Sequence, residues 1–204
     1  MLKLYLVRHG QTFWNVEKRI QGQAESDLTI EGVRQSELLG ERLSDVAFDC
    51  VYVSPLRRTL QTLKAMSVDG AVPVMKDKRL MEICMGDWQG RLVEELKRDF
   101  PAEIERFWTQ PHTFYRASCE TYSQVYERGV DFVRSVVAKH KTGNILVVTH
   151  GAFLKILFTY FRYMQIHDIP YVVHPHSTAL SVVELKDGVW NMQFWNDVSH
   201  LSLG

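Results

Sequence analysis

The alternation of two kinds of apolar pattern restricts the fold of this chain more than any other feature. Short strand-like runs such as KLYLV (3–7) and FDCVYVS (48–54) alternate with helical patterns such as LTIEGVRQSELLGERL (28–43) and SPLRRTLQTLKAM (54–66). This alternation is typical of an α/β fold with a mainly parallel sheet. With 204 residues, 46% of them hydrophobic, the chain is long enough for one sizeable core, and we expect a single domain spanning 1–204.

Several element boundaries carry local signals. Thr29 is predicted to be a helix N-cap, and Ser54 is predicted to be another, with Pro55 at the first helical position. Near the C-terminus, ALSVVEL (179–185) and VWNMQFW (189–195) are joined by an Asp-Gly pair, which predicts a hairpin at a sheet edge.

Residues 91–121 differ from the rest of the chain. They are more charged, contain two prolines and several aromatic residues, and lack a strand pattern. We predict that this segment is an inserted helical cap over one edge of the sheet. Its aromatic side chains could line a substrate pocket under the cap, but such a spacing favours packing of the cap onto the sheet, and we interpret them in that way; they are Phe107, Trp108, Phe114 and Tyr115.

Bulk charge excludes some classes of partner. Lys+Arg and Asp+Glu both total 24, so no overall field attracts the protein to nucleic acid or to a membrane surface. The cysteines Cys50, Cys84 and Cys119 lack the spacing of a metal site or redox pair, which favours a reducing compartment. No secretory leader and no apolar run of about 18 residues is found, so we expect a cytoplasmic protein.

Basic side chains follow three of the predicted strands. Arg8-His9 ends the first strand, Arg57-Arg58 follows the second after a short turn, and His150-Gly151 follows ILVV (145–148). In open parallel sheets, ligands bind beyond the carboxyl ends of the strands, so these groups are expected to share one crevice. Together they predict a pocket for a dianion.

Phosphoryl transfer is the chemistry that such a pocket serves. Guanidinium groups match phosphate oxygens, and a neutral imidazole beside them can attack phosphorus. A helix beginning at Gly151 would add amide N–H groups. The alcohol also needs a proton as it leaves, and Glu82 is our candidate acid. Three other carboxylates stay open as alternatives: Asp87, Glu94 and Glu95.

A set of motifs covers most of the chain in order: LVRHGQTFWN (6–15), RIQGQAESDLTIEGVRQ (19–35), VSPLRRTLQT (53–62), Glu82 followed by GDWQG (86–90), CETYSQVYERG (119–129) and VVTHG (147–151). In this combination the chain resembles the histidine phosphatase superfamily, the phosphoglycerate mutase-like group, and within it the phosphatase-type branch. The resemblance implies a three-layer α/β/α sandwich and neither a metal nor another cofactor.

The resemblance also implies roles for individual residues. His9 would become phosphorylated and Glu82 would be the proton donor. The family's Ser-Pro-x-x-Arg spacing selects Arg58 rather than Arg57. The residues implied to bind the phosphoryl group are Arg8, Arg58 and His150, with Asn15 nearby, and the loop residues implied to contact substrate are Gln21 and Gly22. The expected partner is a small phosphorylated metabolite.

Departures from the family pattern bear on the subtype. The cap lacks the adjacent arginine pair of cofactor-dependent phosphoglycerate mutases, which favours a phosphatase over a mutase. His176 stands where relatives often have asparagine, and Gln89 replaces a glutamate. Both departures affect expected substrate contacts.

The sequence also contains features of three alternatives: a phospholigand binder, a homodimer and a metal-binding module. A non-catalytic phospholigand binder would be expected to lack the nucleophile or the acid, and both are present. A hydrophobic rim at Trp190 and Trp195 could support a homodimer. A metal-binding or regulatory module could be built from His167, Asp168, His174 and His176.

Overall fold

The computed structural model describes residues 1–203 and contains a six-stranded sheet in the order β3-β2-β4-β1-β5-β6. The strands are β1 (Leu2–Arg8), β2 (Cys50–Val53), β3 (Val74–Lys76), β4 (Gly143–Thr149), β5 (Leu180–Lys186) and β6 (Val189–Asp197). The α-helices are α1 (Phe13–Val16), α2 (Ile30–Arg42), α3 (Arg57–Ala65), α4 (Val93–Asp99), α5 (Pro101–Thr109), α6 (Tyr122–Lys139) and α7 (Gly151–Phe161). Short 3-10 helices cover Lys78–Leu80, Gly86–Trp88, Ile166–Tyr171 and Ser199–Leu203.

Strand directions confirm the predicted mainly parallel sheet. β3, β2, β4 and β1 run parallel, whereas β5 is antiparallel to β1 and β6 is antiparallel to β5. The hairpin between β5 and β6 lies at the sheet edge, as predicted. Its turn residues Asp187 and Gly188 have φ values of 51° and 80°, which suits the Asp-Gly turn that matches strand twist.

Side chains that alternate along the strands fill two cores on opposite faces of the sheet. In β1, Leu4 and Leu6 belong to one core, and Val7 belongs to the other. The first core also receives Phe132 of α6 and Phe153 of α7, and the residues of α2 and α3 contribute to the second. This arrangement confirms the three-layer α/β/α sandwich. Among residues 1–203, no helix has the length and apolar character needed to cross a membrane.

One of the two predicted N-caps is confirmed and the other is wrong. The Thr29 side chain accepts a hydrogen bond from the Gly32 amide at the start of α2. By contrast, α3 begins at Arg57 with Leu56 at the N-cap position and no side-chain cap. Ser54 is instead hydrogen-bonded through Oγ to Nε2 of His150 at 2.7 Å, so its side chain serves the strand ends rather than the helix.

The segment 91–121 contains α4 and α5, whose buried residues join the core on the α6–α7 face. Phe107 and Phe114 are buried there, as predicted for the cap aromatics. The same interpretation is wrong for Trp108 and Tyr115, which are 47% and 74% exposed. The adjacent Phe107 already fills the space against the core, so Trp108 remains at the surface and faces a cavity.

Candidate active site

The three strands that precede the predicted basic groups are neighbours in the sheet. Arg8 ends β1, His150 follows β4, and Arg58 lies in the first turn of α3 after β2. The ring centroids of His9 and His150 are 5.3 Å apart, and Arg58 Nε lies 3.2 Å from His150 Nδ1. The structure therefore brings the four predicted side chains into one crevice at the carboxyl end of the sheet.

His9 is held as a neutral imidazole with a defined tautomer. It is only 2% exposed, and its Nδ1 lies 2.8 Å from the Gly10 carbonyl oxygen. Because a carbonyl oxygen can only accept, Nδ1 carries the hydrogen and Nε2 keeps its lone pair. Burial, followed by the positive charges of Arg58 and Arg8, holds the pKa of His9 well below its usual range. Nε2 is therefore a free nucleophile at neutral pH.

His150 has the opposite tautomer. Arg58 Nε donates to its Nδ1, so Nε2 carries the hydrogen and donates to Ser54 Oγ at 2.7 Å. The ring is fully buried, and burial followed by the charge of Arg58 holds its pKa well below the usual range. Both ring nitrogens of His150 are thus bonded to protein groups, whereas His9 keeps Nε2 free, so the predicted direct contact of His150 with the phosphoryl group would require one of these bonds to be exchanged.

Two guanidinium groups supply the positive charge. Arg58 is buried and donates to the carbonyl oxygens of Ala24 at 2.9 Å and Gly22 at 2.6 Å. Burial lowers its pKa to about 10, which leaves it protonated at neutral pH. Arg8 donates through Nη1 to Pro175 O at 2.6 Å, while its buried Nε has no hydrogen-bond partner within residues 1–203. An anionic oxygen in the crevice would satisfy that donor.

Glu82 lies at the amino end of α7. Its Oε2 accepts from the Ala152 amide at 3.0 Å, and Oε1 accepts from the amides of Phe153 at 2.9 Å and Ile83 at 3.0 Å. The first amides of this helix were predicted from the sequence to serve the phosphoryl group. That assignment is wrong for Ala152 and Phe153, because the carboxylate already occupies them.

The alternative carboxylates lie outside the pocket that Glu82 lines. Asp87 is bound to Arg116, Glu94 pairs with Lys97, and Glu95 caps α4 at the Leu92 amide. Each therefore already has a structural partner.

Gly151 allows a close approach of side chains at the start of α7. A Cβ atom at this position would lie 2.6 Å from His174 Nε2 and 3.1 Å from Arg8 Nε. Both distances are too short for any larger residue without displacement of these two groups.

The predicted substrate-binding residues Asn15, Gln21 and Gly22 all line the same pocket. Asn15 Oδ1 accepts from the backbone and the hydroxyl of Thr12, both at 3.0 Å, which leaves its NH₂ group as the donor for a ligand. Gln21 Oε1 is buried without a partner among the described residues. Gly22 has φ +53°, and Gln89 braces this loop by accepting from the Gln23 amide at 2.7 Å.

The pocket contains further residues besides those predicted to bind the substrate. Its empty volume is about 850 Å³, which includes the part open to solvent. Arg19, Lys155 and His174 add basic groups. Arg19 opens the motif at 19–35 without an assigned role, His174 was considered only for the metal module, and no motif contains Lys155. The apolar wall consists of Ile20, Ile83, Met85, Phe107, Trp108, Tyr122, Ala152 and Ile169, with a phenol from Tyr122.

The alternative metal module is not formed. His174 lies beside Gly151 and Arg8 at the pocket, and the amide of His176 donates to Asn196. Both histidines are exposed. Over residues 1–203, no three His, Cys, Asp or Glu side chains are grouped so that they could hold a metal ion.

Comparisons with known proteins agree with this architecture. The family model of the histidine phosphatase superfamily (branch 1) matches residues 4–198. Phosphoserine phosphatase 1 of Hydrogenobacter thermophilus is 34% identical over 78% of this chain and 75% of its own length. Phosphoglycerate mutase-like protein 4 of Arabidopsis thaliana is 31% identical over 98% of this chain and 86% of its own length. The solved structure of YhfR from Bacillus stearothermophilus has a TM-score of 0.95 and 33% identity, covering 98% of this chain and 100% of its own. The strand order, the reactive groups at the strand ends and these matches together show that the chain belongs to the histidine phosphatase superfamily.

Proposed function

We propose that this protein hydrolyses phosphate monoesters of small metabolites through a phosphohistidine formed at His9 Nε2. The observation that carries the proposal is the state of His9. Its Nδ1–H is bonded to Gly10 O, its ring is neutral, and Arg8, Arg58 and His150 surround it. An uncharged nitrogen beside two guanidinium groups can approach a phosphate dianion whose charge those groups neutralise.

The first step forms the N–P bond at Nε2 and breaks the P–O bond to the alcohol. Arg8 Nε and Arg58 stabilise the charge on the equatorial oxygens, and Glu82 gives a proton to the leaving oxygen. In the second step, water attacks phosphorus and gives a proton to Glu82, while the N–P electrons return to Nε2.

The positions of the arginines in the cap, segment 91–121, favour hydrolysis over mutase activity. A mutase must retain a doubly phosphorylated intermediate, which requires extra cations over the site. Here Arg91 is bound to Asp99, and Arg116 is bound to Asp87 and Glu103. None of the arginines of segment 91–121 lines the pocket. The names of the relatives include both a phosphatase and a mutase-like protein, so both reactions should be assayed.

The test compares His9→Ala with the wild type on a panel of phosphorylated metabolites. Loss of the nucleophile is expected to lower kcat/KM for phosphate release at least about 10³-fold and to abolish an acid-labile phosphoenzyme. His140→Ala is the matched control, because His140 contacts Tyr52 near the amino end of the sheet. Wild-type rates in His9→Ala would refute the proposal. Isomerisation of phosphoglycerate without net phosphate release would instead identify a mutase.

A further inference from the structure

The reactivity of His9 depends on one backbone carbonyl group. The Gly10 oxygen lies 2.8 Å from Nδ1 and keeps the hydrogen on that atom, which leaves Nε2 free. If the carbonyl turned away, the hydrogen could move to Nε2, and the ring would lose its nucleophilic atom. Groups that hold this carbonyl therefore matter for the reaction, although they need not touch a ligand.

Thr62 of α3 holds the peptide group that precedes Gly10. The Gly10 amide donates to Thr62 Oγ1 at 2.9 Å, and this hydroxyl donates to Arg58 O at 2.8 Å. Because its hydrogen is bound to Arg58, a lone pair of Oγ1 is available to face the Gly10 amide. The carbonyl oxygen of the same peptide group, which belongs to His9, accepts from the Thr178 amide at 3.3 Å. Thr62 is completely buried, so its hydroxyl is shielded from bulk water.

Gln35 of α2 holds the peptide group that follows Gly10. The Gln11 amide donates to Gln35 Oε1 at 3.3 Å, and Gln35 Nε2 donates to Glu31 Oε1 at 3.2 Å. The Gln11 N–H and the Gly10 C=O belong to one planar unit, so a bond to the N–H restrains the direction of the C=O. Gln35 therefore restrains the carbonyl that orients His9 from the opposite edge of the peptide group.

The loop after β1 also lies directly on the backbone of α2. A Cβ atom on Gly10 would clash with Gly32 O, and a Cβ atom on Gly32 would clash with Gln11 O. Thr62 and Gln35 are the last residues of the motifs at 53–62 and 19–35, and the phosphoryl chemistry described above uses neither. Neither of them lines the pocket, so any effect they have on the reaction must pass through this loop.

We propose that Thr62 and Gln35 are positioning residues, which hold the peptide groups on either side of Gly10 so that its carbonyl keeps His9 in the Nδ1–H tautomer. As the N–P bond forms, the imidazole gains positive charge, and the fixed carbonyl dipole stabilises that charge. The bond from Gln11 to Gln35 polarises the same peptide group and strengthens this effect. The inference rests on the proposed phosphatase function and specifies how its nucleophile is held in place.

The experiment removes each hydrogen bond with little change in side-chain size. Thr62→Val deletes the hydroxyl and keeps the branched shape, and Gln35→Met deletes the amide. At saturating ester, single-turnover release of 4-nitrophenol from 4-nitrophenyl phosphate should slow about ten- to hundredfold in each variant. The inhibition constant for inorganic phosphate should stay nearly unchanged, because Arg8 and Arg58 remain in place. Thr62→Ser keeps the hydroxyl and should recover most of the rate.

Nitrogen NMR spectra of ¹⁵N-histidine-labelled protein add a readout that general damage would not produce. The ring nitrogens of His9 are assigned by comparison with His9→Ala. We expect the hydrogen on Nδ1 in the wild type and partly on Nε2 in Thr62→Val and Gln35→Met. Thr159→Val is the matched control, because this buried hydroxyl on α7 donates to Ile156 O, and it should change neither the rate nor the tautomer.

An unchanged rate in either folded variant would overturn the role of that residue. A slower rate with the His9 hydrogen still confined to Nδ1 would overturn it as well, and so would a loss that weaker phosphate binding explains. Gln35→Met tests the same carbonyl from α2 should Thr62→Val fail to fold. Absence of phosphate release by the wild type from every ester would refute the proposed function instead, while the His9 tautomer would still test the positioning role.

Discussion

Replacing Arg128 with methionine is expected to slow the enzyme most on esters whose alcohol needs a proton as it leaves. Arg128 Nη1 donates to the carbonyl oxygens of Arg79 at 2.7 Å and Met81 at 2.6 Å, and Nη2 donates to that of Glu82 at 3.1 Å. Nε and Nη2 also bind Glu120, at 2.9 and 3.0 Å. One guanidinium group from α6 therefore holds the backbone that carries the proposed proton donor.

The loss of these bonds affects both stability and the position of Glu82. Arg128 is 17% exposed, and its removal would leave Glu120 and three carbonyl oxygens without this partner. Water can enter and solvate part of these groups, and the contributions of neighbouring hydrogen bonds are not additive. We therefore expect a loss of about 3 kcal/mol in the free energy of unfolding. In a chain of this size, that loss lowers Tm by about 6–12 °C. A shift of the carboxylate by about 1 Å can slow proton transfer about 100-fold.

The assay separates positioning from general damage by varying the leaving group. Single-turnover release of alcohol is measured for an alkyl phosphate and for 4-nitrophenyl phosphate, whose phenolate leaves without full protonation. Arg128→Met should lose about 100-fold on the alkyl ester and only a few-fold on the aryl ester. Arg134→Met, an exposed position on the same helix, is the matched control. Equal losses on both esters would refute the positioning role of Arg128.

Two further predictions follow from the crowded and buried groups of the site. In Gly151→Ala, the new Cβ would lie 2.6 Å from His174 and 3.1 Å from Arg8 and would displace both groups. The inhibition constant for inorganic phosphate should therefore rise about tenfold. Gly70→Ala is the control, because nothing lies within 4 Å of that position, and it should leave the inhibition constant unchanged. The pKa values of His9 and His150 are lowered in the folded state, whereas an unfolded histidine has a pKa of about 6.5. Below that pH the unfolded chain therefore binds more protons than the folded chain. The free energy of unfolding should then fall by about 3 kcal/mol per pH unit for the two rings together. Equal free energies of unfolding in urea at pH 7.5 and pH 5.5 would contradict the neutral state of both rings.

The convergence of His9, Arg58 and His150 could be predicted because a general property of parallel sheets produces it. Each residue follows a strand, and the carboxyl ends of parallel strands lie at one edge. The prediction did not require the strand order. The observed order brings the three residues close together, because β2, β4 and β1 are neighbours in the sheet. The role of Ser54 could not be predicted, because its partner His150 lies 96 residues away in the sequence.

Other parts of the pocket depend on contacts that no local pattern reveals. His174 and His176 occupy equivalent positions on either side of Pro175, and family resemblance drew attention to His176. In the structure, the Pro175 carbonyl oxygen accepts from Arg8, and His174 lies against the pocket. Lys155 lies within an apolar helix, where a single lysine is ordinarily interpreted as a surface residue. Its position in the wall of the pocket is visible only when the neighbouring elements are in place.

One side of the pocket comes from the strand ends and the other from segment 91–121, and this division has a consequence for how such enzymes diversify. The nucleophile, Arg8, Arg58 and His150 lie at or just beyond the ends of three adjacent strands, whose separation of about 4.8 Å is common to all sheets. Trp108, which lines the same pocket, comes from α5 and is 47% exposed, so it can vary without disturbing that frame. Exchange of segment 91–121 between relatives should therefore transfer substrate preference as a module, while the reaction at phosphorus stays the same.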